Sequence, residues 1–323
     1  MTSTTHVSRS GAADRLLSEF NMAAAGLTVG YRRTPDAHVV SADGLTFHYP
    51  AGLGGNGFLD PDNWFVRKHD GGKIHEPGLV SALIFLGARL GQAETAFFDI
   101  GALFGYFSVL AQAAFGKAEV HAVEPNPNSA AIIEAAIRKL EPAQPPVRVH
   151  NVLVGTAHGR QWYDIDRFQF HPVTPRAALR KRLVRAPKAL VRSLTGLGPG
   201  KHSVRRLDEV PLAELVTRTD RADPRLILKL DTEGYHAVFL PPATATLIER
   251  NAIVLLEFDG PPVMRAFGVS NFDLCRPFLK AGYTMLWMDH RTLHATARLV
   301  TEASYDPAIE TNSLAILLPP DFA

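Results

Sequence analysis

The sequence predicts an α/β fold with a doubly wound, mostly parallel sheet, preceded by an N-terminal extension. Short apolar runs of strand length alternate with stretches of helical periodicity, a pattern typical of a parallel sheet covered by helices. The runs are apolar at nearly every position, as expected for strands buried on both faces. Two of them end in an acid followed by a glycine turn: Asp99 before Gly101, and Asp231 before Gly234. A ligand is expected at that edge of the sheet.

Seven apolar runs are predicted to form the sheet, which an antiparallel strand closes. They lie at residues 97–100, 120–123, 147–154, 226–231, 252–258, 283–288 and 314–318. Before the first strand, Leu79, Leu83, Leu86 and Leu90 repeat at helical spacing. A helix is also predicted over residues 129–140, with Asn128 or Ser129 as its N-cap.

The N-terminal extension is assigned to residues 1–70 and the main domain to residues 71–323. Residues before Ala12 are rich in Ser and Thr and are predicted to be disordered. A short helix is predicted over residues 14–25, and a hairpin around Ala42, Asp43 and Gly44.

Composition limits the classes of protein to which the chain can belong. The 323 residues are 46% hydrophobic, enough for a full core, and the net charge of +2 does not indicate a polyanion binder. Cys275 is the only cysteine, which excludes an internal disulfide and fits a reducing compartment. Residues 1–15 lack the apolar segment of a signal peptide, and no apolar run reaches the roughly 20 residues of a membrane span. A soluble, cytoplasmic protein is expected.

The turn after the first predicted strand favours S-adenosylmethionine over a dinucleotide. Gly101 and Gly105 are present, but Leu103 and Tyr106 stand where a dinucleotide fingerprint has its other glycines. Asp99 would repel a pyrophosphate, whereas it suits the ammonium and sulfonium of S-adenosylmethionine. Glu124, at the tip of the second strand, can accept hydrogen bonds from two ribose hydroxyls. A nicotinamide-dependent oxidoreductase and an ordinary turn without a ligand are the alternatives.

The acceptor side is predicted at the end of the fourth strand. Methyl transfer to oxygen is an in-line displacement, and it benefits from a base that removes the hydroxyl proton. The candidates are Asp231, Glu233, His236 and Glu257, with Asp231 expected to face the crevice. His236 is a candidate base because the unperturbed pKa of histidine lies near neutrality, although it could equally be a helix-start histidine without a catalytic role. No metal motif is predicted, but an Asp231–Glu257 pair could bind a hard divalent cation.

Residues 167–206 form a basic insert with eleven Lys and Arg residues and no acid. One face of a predicted helix carries four leucines: Leu179, Leu183, Leu190 and Leu194. Pro187 breaks or kinks this helix. A solvated lid is one interpretation, and recruitment of an anionic substrate or a membrane surface is another. An RNA-modifying enzyme guided by the insert remains an alternative function. Nucleic-acid binding is disfavoured because the insert lacks interleaved aromatic residues.

Between residues 76 and 319 the chain resembles the FkbM family of S-adenosylmethionine-dependent methyltransferases. The resemblance rests on Glu76-Pro77, on the 98–108 turn, on Val123-Glu124-Pro125-Asn126, on residues 206–209, on the Lys-x-Asp-x-Glu-Gly run at 229–234, and on residues 256–257 and 282–283. It implies a Rossmann-like class I methyltransferase fold and O-methylation of a small hydroxylated acceptor such as a sugar, a glycoside or a polyketide-like product. A homodimer is left open.

The expected site residues fall into two groups. The donor-binding residues are Glu76, Asp99, Gly101, Ala102, Gly105, Tyr106, Phe107, Ser108, Glu124, Pro125, Asn126, Asn151, Val152 and Asp231. The catalytic residues are Asp231, Glu233 and His236. Leu103 departs from the Asn that is common in the family, and Tyr235-His236 departs from a small residue followed by an acid.

Overall fold

In a computed structural model, the described residues are 4–54, 60–91, 93–140, 146–166, 169–181, 184, 202–310 and 313–322. The helices are α1 (Thr4–Ala25), α2 (Pro61–His69), α3 (Pro77–Leu90), α4 (Tyr106–Phe115), α5 (Pro127–Lys139), α6 (Leu212–Leu215), α7 (His236–Glu249), α8 (Pro261–Arg265) and α9 (Asn271–Lys280). The strands are β1 (Val29–Arg33), β2 (Ala37–Ala42), β3 (Leu45–Pro50), β4 (Thr95–Ile100), β5 (Glu119–Val123), β6 (Val147–His150), β7 (Leu153–Gly155), β8 (Gly159–Asp166), β9 (Gln169–Pro172), β10 (His202–Pro211), β11 (Arg225–Leu230), β12 (Ile253–Phe258), β13 (Thr284–Met288), β14 (Arg298–Val300) and β15 (Ser313–Leu318).

The main sheet has the strand order β14-β13-β15-β12-β11-β4-β5-β6. The five strands from β12 to β6 are mutually parallel, and β15 runs antiparallel between β12 and β13. This confirms the doubly wound, mostly parallel fold and its antiparallel closing strand. The sheet has eight strands rather than seven, because β14 adds an antiparallel edge. With only three residues, β14 carries too little pattern to be predicted.

The predicted third strand over residues 147–154 is two strands in two sheets. β6 pairs with β5 in the main sheet, whereas β7 pairs with β10. Asn151 and Val152 separate them, and the Asn151 amide donates a hydrogen bond to the Glu124 carbonyl at 2.7 Å. The run predicted as one strand therefore contains a change of sheet at Asn151, whose side chain contacts the loop after β5.

The two faces of the main sheet bury separate cores, because successive side chains on a strand point to opposite faces. Phe97 on β4 belongs to the core shared with α3, α4 and the N-terminal segment. Its neighbour Phe98 belongs to the core shared with α7 and α9. The parallel strands are consequently covered on both sides, and their carboxyl ends open into loops.

The N-terminal residues pack directly on the main domain. Phe20 of α1 contacts Phe85 of α3 edge-to-face, with ring centroids 5.4 Å apart. The hairpin predicted around Asp43 is present as β2-β3, and β1 extends it to a three-stranded sheet. The Tyr49 hydroxyl donates a hydrogen bond of 2.6 Å to the carbonyl of Phe104, in the turn after β4. α1 begins at Thr4, whereas disorder was predicted before Ala12 from Ser/Thr content alone.

The basic insert is bounded by a second, four-stranded sheet with the order β7-β10-β8-β9. Lys181 pairs with Asp164 of β8 at 2.6 Å, and Leu179, predicted on an apolar helical face, is 60% exposed. The predictions for Leu183, Leu190, Leu194 and the break at Pro187 concern positions outside the described residues.

Two helix boundaries bear on the site. α3 runs from Pro77 to Leu90, which confirms the helix predicted from the spacing of Leu79 to Leu90, and Gly91 is its C-cap. α5 begins earlier than predicted, because the side chain of Asn126, rather than Asn128 or Ser129, accepts the capping hydrogen bond. Among the helices in the described part of the chain, none is long and apolar enough to cross a membrane.

Candidate active site

A deep cleft opens at the carboxyl ends of β4, β5, β11 and β12. Its volume is about 230 Å³, just below the roughly 300–1,000 Å³ usual for small-molecule pockets. Its walls include Gly101, Leu103, Glu124, Asp231, Glu233 and Glu257. β4 and β11 are neighbours at the centre of the sheet, so the cleft lies where the chain reverses its winding direction.

Glu124 lies in the cleft wall directly after β5. Its Oε2 accepts a hydrogen bond from the Leu103 N–H at 2.9 Å, and its Oε1 accepts one from the Asn126 N–H at 2.7 Å. Burial raises the pKa of Glu124 to about 7, although these two N–H groups favour the charged form. The carboxylate is thus fixed in orientation while its remaining lone pairs face the cleft. Hydroxyl donors would satisfy them.

Gly101 allows the ends of β4 and β11 to meet. Its φ is +83°, and a Cβ built there would lie 1.8 Å from the Asp231 carbonyl oxygen. We expect Gly101→Ala to destabilise the fold by about 2–6 kcal/mol, since a strained φ and a core clash each cost about 1–3 kcal/mol. Gly44→Ala is the matched control, because Gly44 has a φ of +80° with nothing within 4 Å. Urea unfolding of both variants separates the cost of the clash from the cost of the strained φ. Equal losses of stability in the two variants would contradict a clash at Gly101.

Leu103 adopts the left-handed conformation, with φ of +51°. Asn is enriched in this region and Leu is not. The Asn that is common at this position in the family therefore suits the backbone as well as any ligand contact. In this chain the strained turn is held by the hydrogen bond from the Leu103 N–H to Glu124.

Asp99 does not line the cleft; it lies beneath it, fully buried. The Ser108 hydroxyl donates to its Oδ2 at 2.7 Å, and the Lys229 ammonium lies 3.2 Å from its Oδ1. The cation beside Asp99 is therefore the chain's own Lys229 rather than a ligand. The prediction that Asp99 faces a ligand requires an exposed strand end, whereas Asp99 is buried and the Lys229 ammonium balances its charge.

Lys229 joins the interior to the cleft. Its ammonium lies 3.3 Å from Asp231 Oδ2, donates to the Gly101 carbonyl at 3.3 Å, and stands 5.2 Å from the centre of the Phe107 ring. Burial alone would lower the pKa of Lys229, but Asp99 and Asp231 raise it above its usual value. Lys229 is therefore a permanent internal cation.

Asp231 shares the acceptor end of the cleft with Glu257. Burial and the adjacent Glu257 raise the pKa of Asp231 well above its usual value. Burial would also raise the pKa of Glu257, but His290, Asp231 and Lys229 hold it below its usual range. Arg291 donates to Glu257 Oε1 at 3.0 Å. Burial raises the pKa of Glu76 to about 7 in the same wall.

Of the other predicted catalytic residues, Glu233 lines the cleft and His236 does not. Glu233 is exposed in the turn after β11, with φ of +52°. His236 is fully buried at the start of α7, with its Nδ1 3.3 Å from the Thr232 hydroxyl and 3.9 Å from Asp259. Burial lowers the pKa of His236 to about 4. This position removes His236 from contact with a substrate, which leaves the interpretation as a helix-start histidine.

The predicted donor residues divide into those in the wall and those that support it. Glu76, Pro125, Asn126 and Val152 line the cleft together with Gly101, Glu124 and Asp231. Tyr106 packs edge-to-face on Trp64 and Phe107, Gly105 caps α4, Ala102 is buried in the turn, and Asn151 holds the Glu124 carbonyl.

His290 and Arg291 were not predicted from the sequence. They follow β13, whose carboxyl end lies at the same edge of the sheet as that of β12, and Arg291 lines the cleft, but no local motif surrounds them. Lys229 lies inside the recognised Lys-x-Asp-x-Glu-Gly run but was given no role. A lysine within an otherwise apolar strand is a signal that could have found it, because a buried lysine needs a buried partner.

Solved structures resemble parts of this chain at low identity. An FkbM methyltransferase from Methylobacillus flagellatus KT is 16% identical over 70% of this chain, with a TM-score of 0.41; the chain spans only 44% of that protein's length. A precorrin-6y C5,15-methyltransferase from Geobacter metallireducens GS-15 is 12% identical over 74% of this chain and 85% of that one, with a TM-score of 0.33. The METTL16 methyltransferase domain is 8% identical over 96% of this chain and 91% of that one, with a TM-score of 0.42.

Sequence comparison gives the firmer assignment. No curated protein has significant sequence similarity to the chain. The methyltransferase FkbM domain model matches residues 99–285, more than half of the chain, and the match spans the turn after β4, Glu124, Asp231 and Glu257. The chain belongs to the FkbM methyltransferase family.

Proposed function

We propose that the chain is an S-adenosylmethionine-dependent O-methyltransferase that methylates a hydroxyl of a small acceptor such as a sugar, a glycoside or a polyketide-like compound. One observation carries the proposal. Glu124, which we assign to the ribose hydroxyls of the donor, and Asp231, which we assign to the acceptor, line one cleft at the carboxyl ends of β5 and β11. Family membership favours the donor, and the acidic acceptor end favours a hydroxyl as the group that is methylated.

The donor end suits S-adenosylmethionine. Glu124 is oriented by two backbone N–H groups and can accept hydrogen bonds from two vicinal hydroxyls, and Gly101 lies in the wall of the same cleft. The carboxylates that face the cleft favour a ligand with net positive charge. When bound, S-adenosylmethionine supplies a methyl group on a positively charged sulfur.

The acceptor end provides a proton acceptor. A hydroxyl that attacks the methyl group must lose its proton, and a positioned carboxylate can take it. Asp231 is the candidate because Lys229 holds one of its oxygens and the side chain still lines the cleft. The chain's remaining contribution is alignment of the hydroxyl with the methyl group, which lowers the entropic part of the barrier.

A second cleft gives the acceptor its own entrance. It shares Lys68, His75, Glu76 and Arg291 with the first cleft and continues past Arg67 and Lys73. Four of its lining side chains are Arg or Lys, which suits a hydroxylated or anionic compound better than an apolar one. We assign this side of the site to the acceptor.

The experiment that tests the function is methyl transfer from isotopically labelled S-adenosylmethionine. Acceptor panels of sugars, glycosides and macrolide-type alcohols are run beside structured RNA, and each product is analysed by mass spectrometry and NMR. A methyl ether in a small product supports the proposal. Labelled RNA, or a product methylated on nitrogen or carbon, contradicts it.

Replacing Glu124 with Gln is expected to weaken S-adenosylmethionine binding roughly 5–150-fold, the equivalent of about 1–3 kcal/mol. The expected pH dependence identifies the cause. In the wild-type chain, donor affinity should rise with pH through about 7 as Glu124 becomes the stronger acceptor, a carboxylate.

Calorimetry between pH 6 and 8 measures both effects. Glu134→Gln on the exposed face of α5 is the matched control, since its carboxylate contacts only Arg138 at 3.8 Å among the described ion pairs. The Glu124→Gln variant should lose the part of the pH dependence that belongs to Glu124, and the control should keep it. An unchanged affinity in Glu124→Gln would contradict the donor placement.

A further inference from the structure

Three side chains from separate parts of the chain converge at the acceptor end of the cleft. Glu76 precedes α3, Glu257 lies on β12, and His290 follows β13. Each offers one ligand atom, and these atoms all lie within 4.8 Å of one another. His290 Nε2 is 3.5 Å from Glu257 Oε1 and 3.9 Å from Glu76 Oε1. Both distances are too long for strong hydrogen bonds.

Two of the three side chains have buried polar atoms that nothing in the described structure satisfies. His290 is 1% exposed, and neither of its ring nitrogens has a hydrogen-bond partner. Glu76 is 8% exposed, and its Oε2 has no hydrogen-bond partner. A buried polar atom without a partner costs about 1–3 kcal/mol, so such atoms in a native fold call for a missing partner. That partner must interact favourably with carboxylate oxygens and with an imidazole nitrogen at once.

We propose that Glu76, Glu257 and His290 form a binding site for one divalent cation of the Mn²⁺ type. Carboxylate oxygen and imidazole nitrogen bind first-row divalent ions at about 2.0–2.2 Å, so two ligands of one ion lie at most about 4.4 Å apart. The observed spread needs only a small inward movement. Carboxylates suit Mn²⁺ and Mg²⁺, and the imidazole shifts the preference toward first-row transition metals.

The charges and neighbours around the site fit a cation. Asp231 and Glu233 lie in the same cleft wall, so four carboxylates face this region, with Lys229 and Arg291 as the adjacent cations. Arg291 holds Glu257 Oε1 at 3.0 Å, and His75 Nε2 is 3.3 Å from Glu76 Oε1. Such outer contacts orient ligand side chains and leave their other positions for the ion.

The role of the cation rests on the proposed function. Beside Asp231, a divalent ion would attract the acceptor hydroxyl and lower its pKa, and the proton would pass to the Asp231 carboxylate. The sequence predicts Asp231 and Glu257 as a possible pair of metal ligands. The structure instead groups Glu257 with Glu76 and His290, so Asp231 is a neighbour of the proposed site rather than a ligand.

The test is Mn²⁺ binding to the full chain after chelator treatment, followed by electron paramagnetic resonance of free Mn²⁺ and by competition with Mg²⁺, Ca²⁺ and Zn²⁺. We expect saturable binding of one ion, weakened at least tenfold in His290→Ala and in Glu76→Gln. His48→Ala, an exposed histidine on β3, should bind as the wild type does. Thermal unfolding identifies any variant that fails to fold, and two ligand variants keep the test decisive.

S-adenosylmethionine binding, measured on the same samples, separates this site from the donor site. His290→Ala should retain donor affinity within about threefold, because His290 is absent from the donor wall. Absence of Mn²⁺ binding by the wild-type chain, or equal binding by His290→Ala, would overturn the metal site whatever the methyl-transfer assay gives. Mn²⁺ binding without transfer to any hydroxyl would instead count against the proposed function alone.

Discussion

Lys229→Met is expected to destabilise the chain by about 3–5 kcal/mol, the loss typical of a buried ion pair from which one partner is removed. Lys229 is 3% exposed and lies between Asp99, which is fully buried, and Asp231. Met fills a similar volume but leaves Asp99, among the described residues, with only the Ser108 hydroxyl as a side-chain partner. The cost is the desolvated carboxylate rather than lost packing.

Urea unfolding measures this loss, and two further variants test its cause. Lys280→Met, at the exposed end of α9, should change the free energy of unfolding by less than about 0.5 kcal/mol. Adding Asp99→Asn to Lys229→Met should restore part of the stability, because the uncompensated charge is gone. A loss below about 1 kcal/mol in Lys229→Met, or a double variant less stable than additivity predicts, would contradict an ion pair at this position.

The strand pattern made the fold and the position of the cleft predictable. An apolar run that ends in an acid identifies both a buried strand and the side chain at its carboxyl end. Because parallel strands end at one edge of the sheet, Glu124 after β5 and Asp231 after β11 had to lie near each other. Glu124 and Asp231 line the same cleft.

Register decided what the strand pattern could not. In the sheet, Lys229 of β11 is directly paired with Asp99 of β4. Whether Asp99 faces a ligand or a lysine therefore depends on alignment between strands about 130 residues apart along the sequence. Local periodicity carries no information on that alignment.

The acceptor end also contains residues whose positions depend on contacts between distant parts of the chain. His290 and Arg291 lie in a loop beyond β13, and Glu76 precedes α3 on the other side of the chain. The antiparallel strands at this end of the sheet bring these loops together, and the Gly78 N–H donates a hydrogen bond to the His290 carbonyl at 2.9 Å. The prediction of His236 as a base has a different difficulty. His236 follows shortly after a glutamate at a strand end, but the first turn of α7 turns its side chain inward, where burial lowers its pKa and keeps it neutral.

Asp231→Asn is expected to lower kcat by a factor of about 10²–10⁴, the range lost when a positioned general base is removed. Asn retains the shape and an oxygen that can accept from Lys229, so the fold should survive the change. Donor affinity should stay within about threefold, since Glu124 and the turn after β4 are untouched. Single-turnover rates at saturating donor, with calorimetry for binding, separate the two quantities.

Two companions make the result specific to Asp231. Asp223→Asn, whose side chain is 86% exposed and paired with Arg250, removes a carboxylate outside the cleft and should leave kcat unchanged. Glu233→Gln changes the other carboxylate of the same turn. This carboxylate is exposed, and no lysine is described beside it, so we expect kcat to fall by less than tenfold. If Glu233→Gln lowered kcat as much as Asp231→Asn, Glu233 would take part in removing the proton, which would then leave through the mouth of the cleft. If Asp231→Asn raised the donor Kd and spared kcat, Asp231 would be a donor contact, as its place among the predicted donor residues also allows.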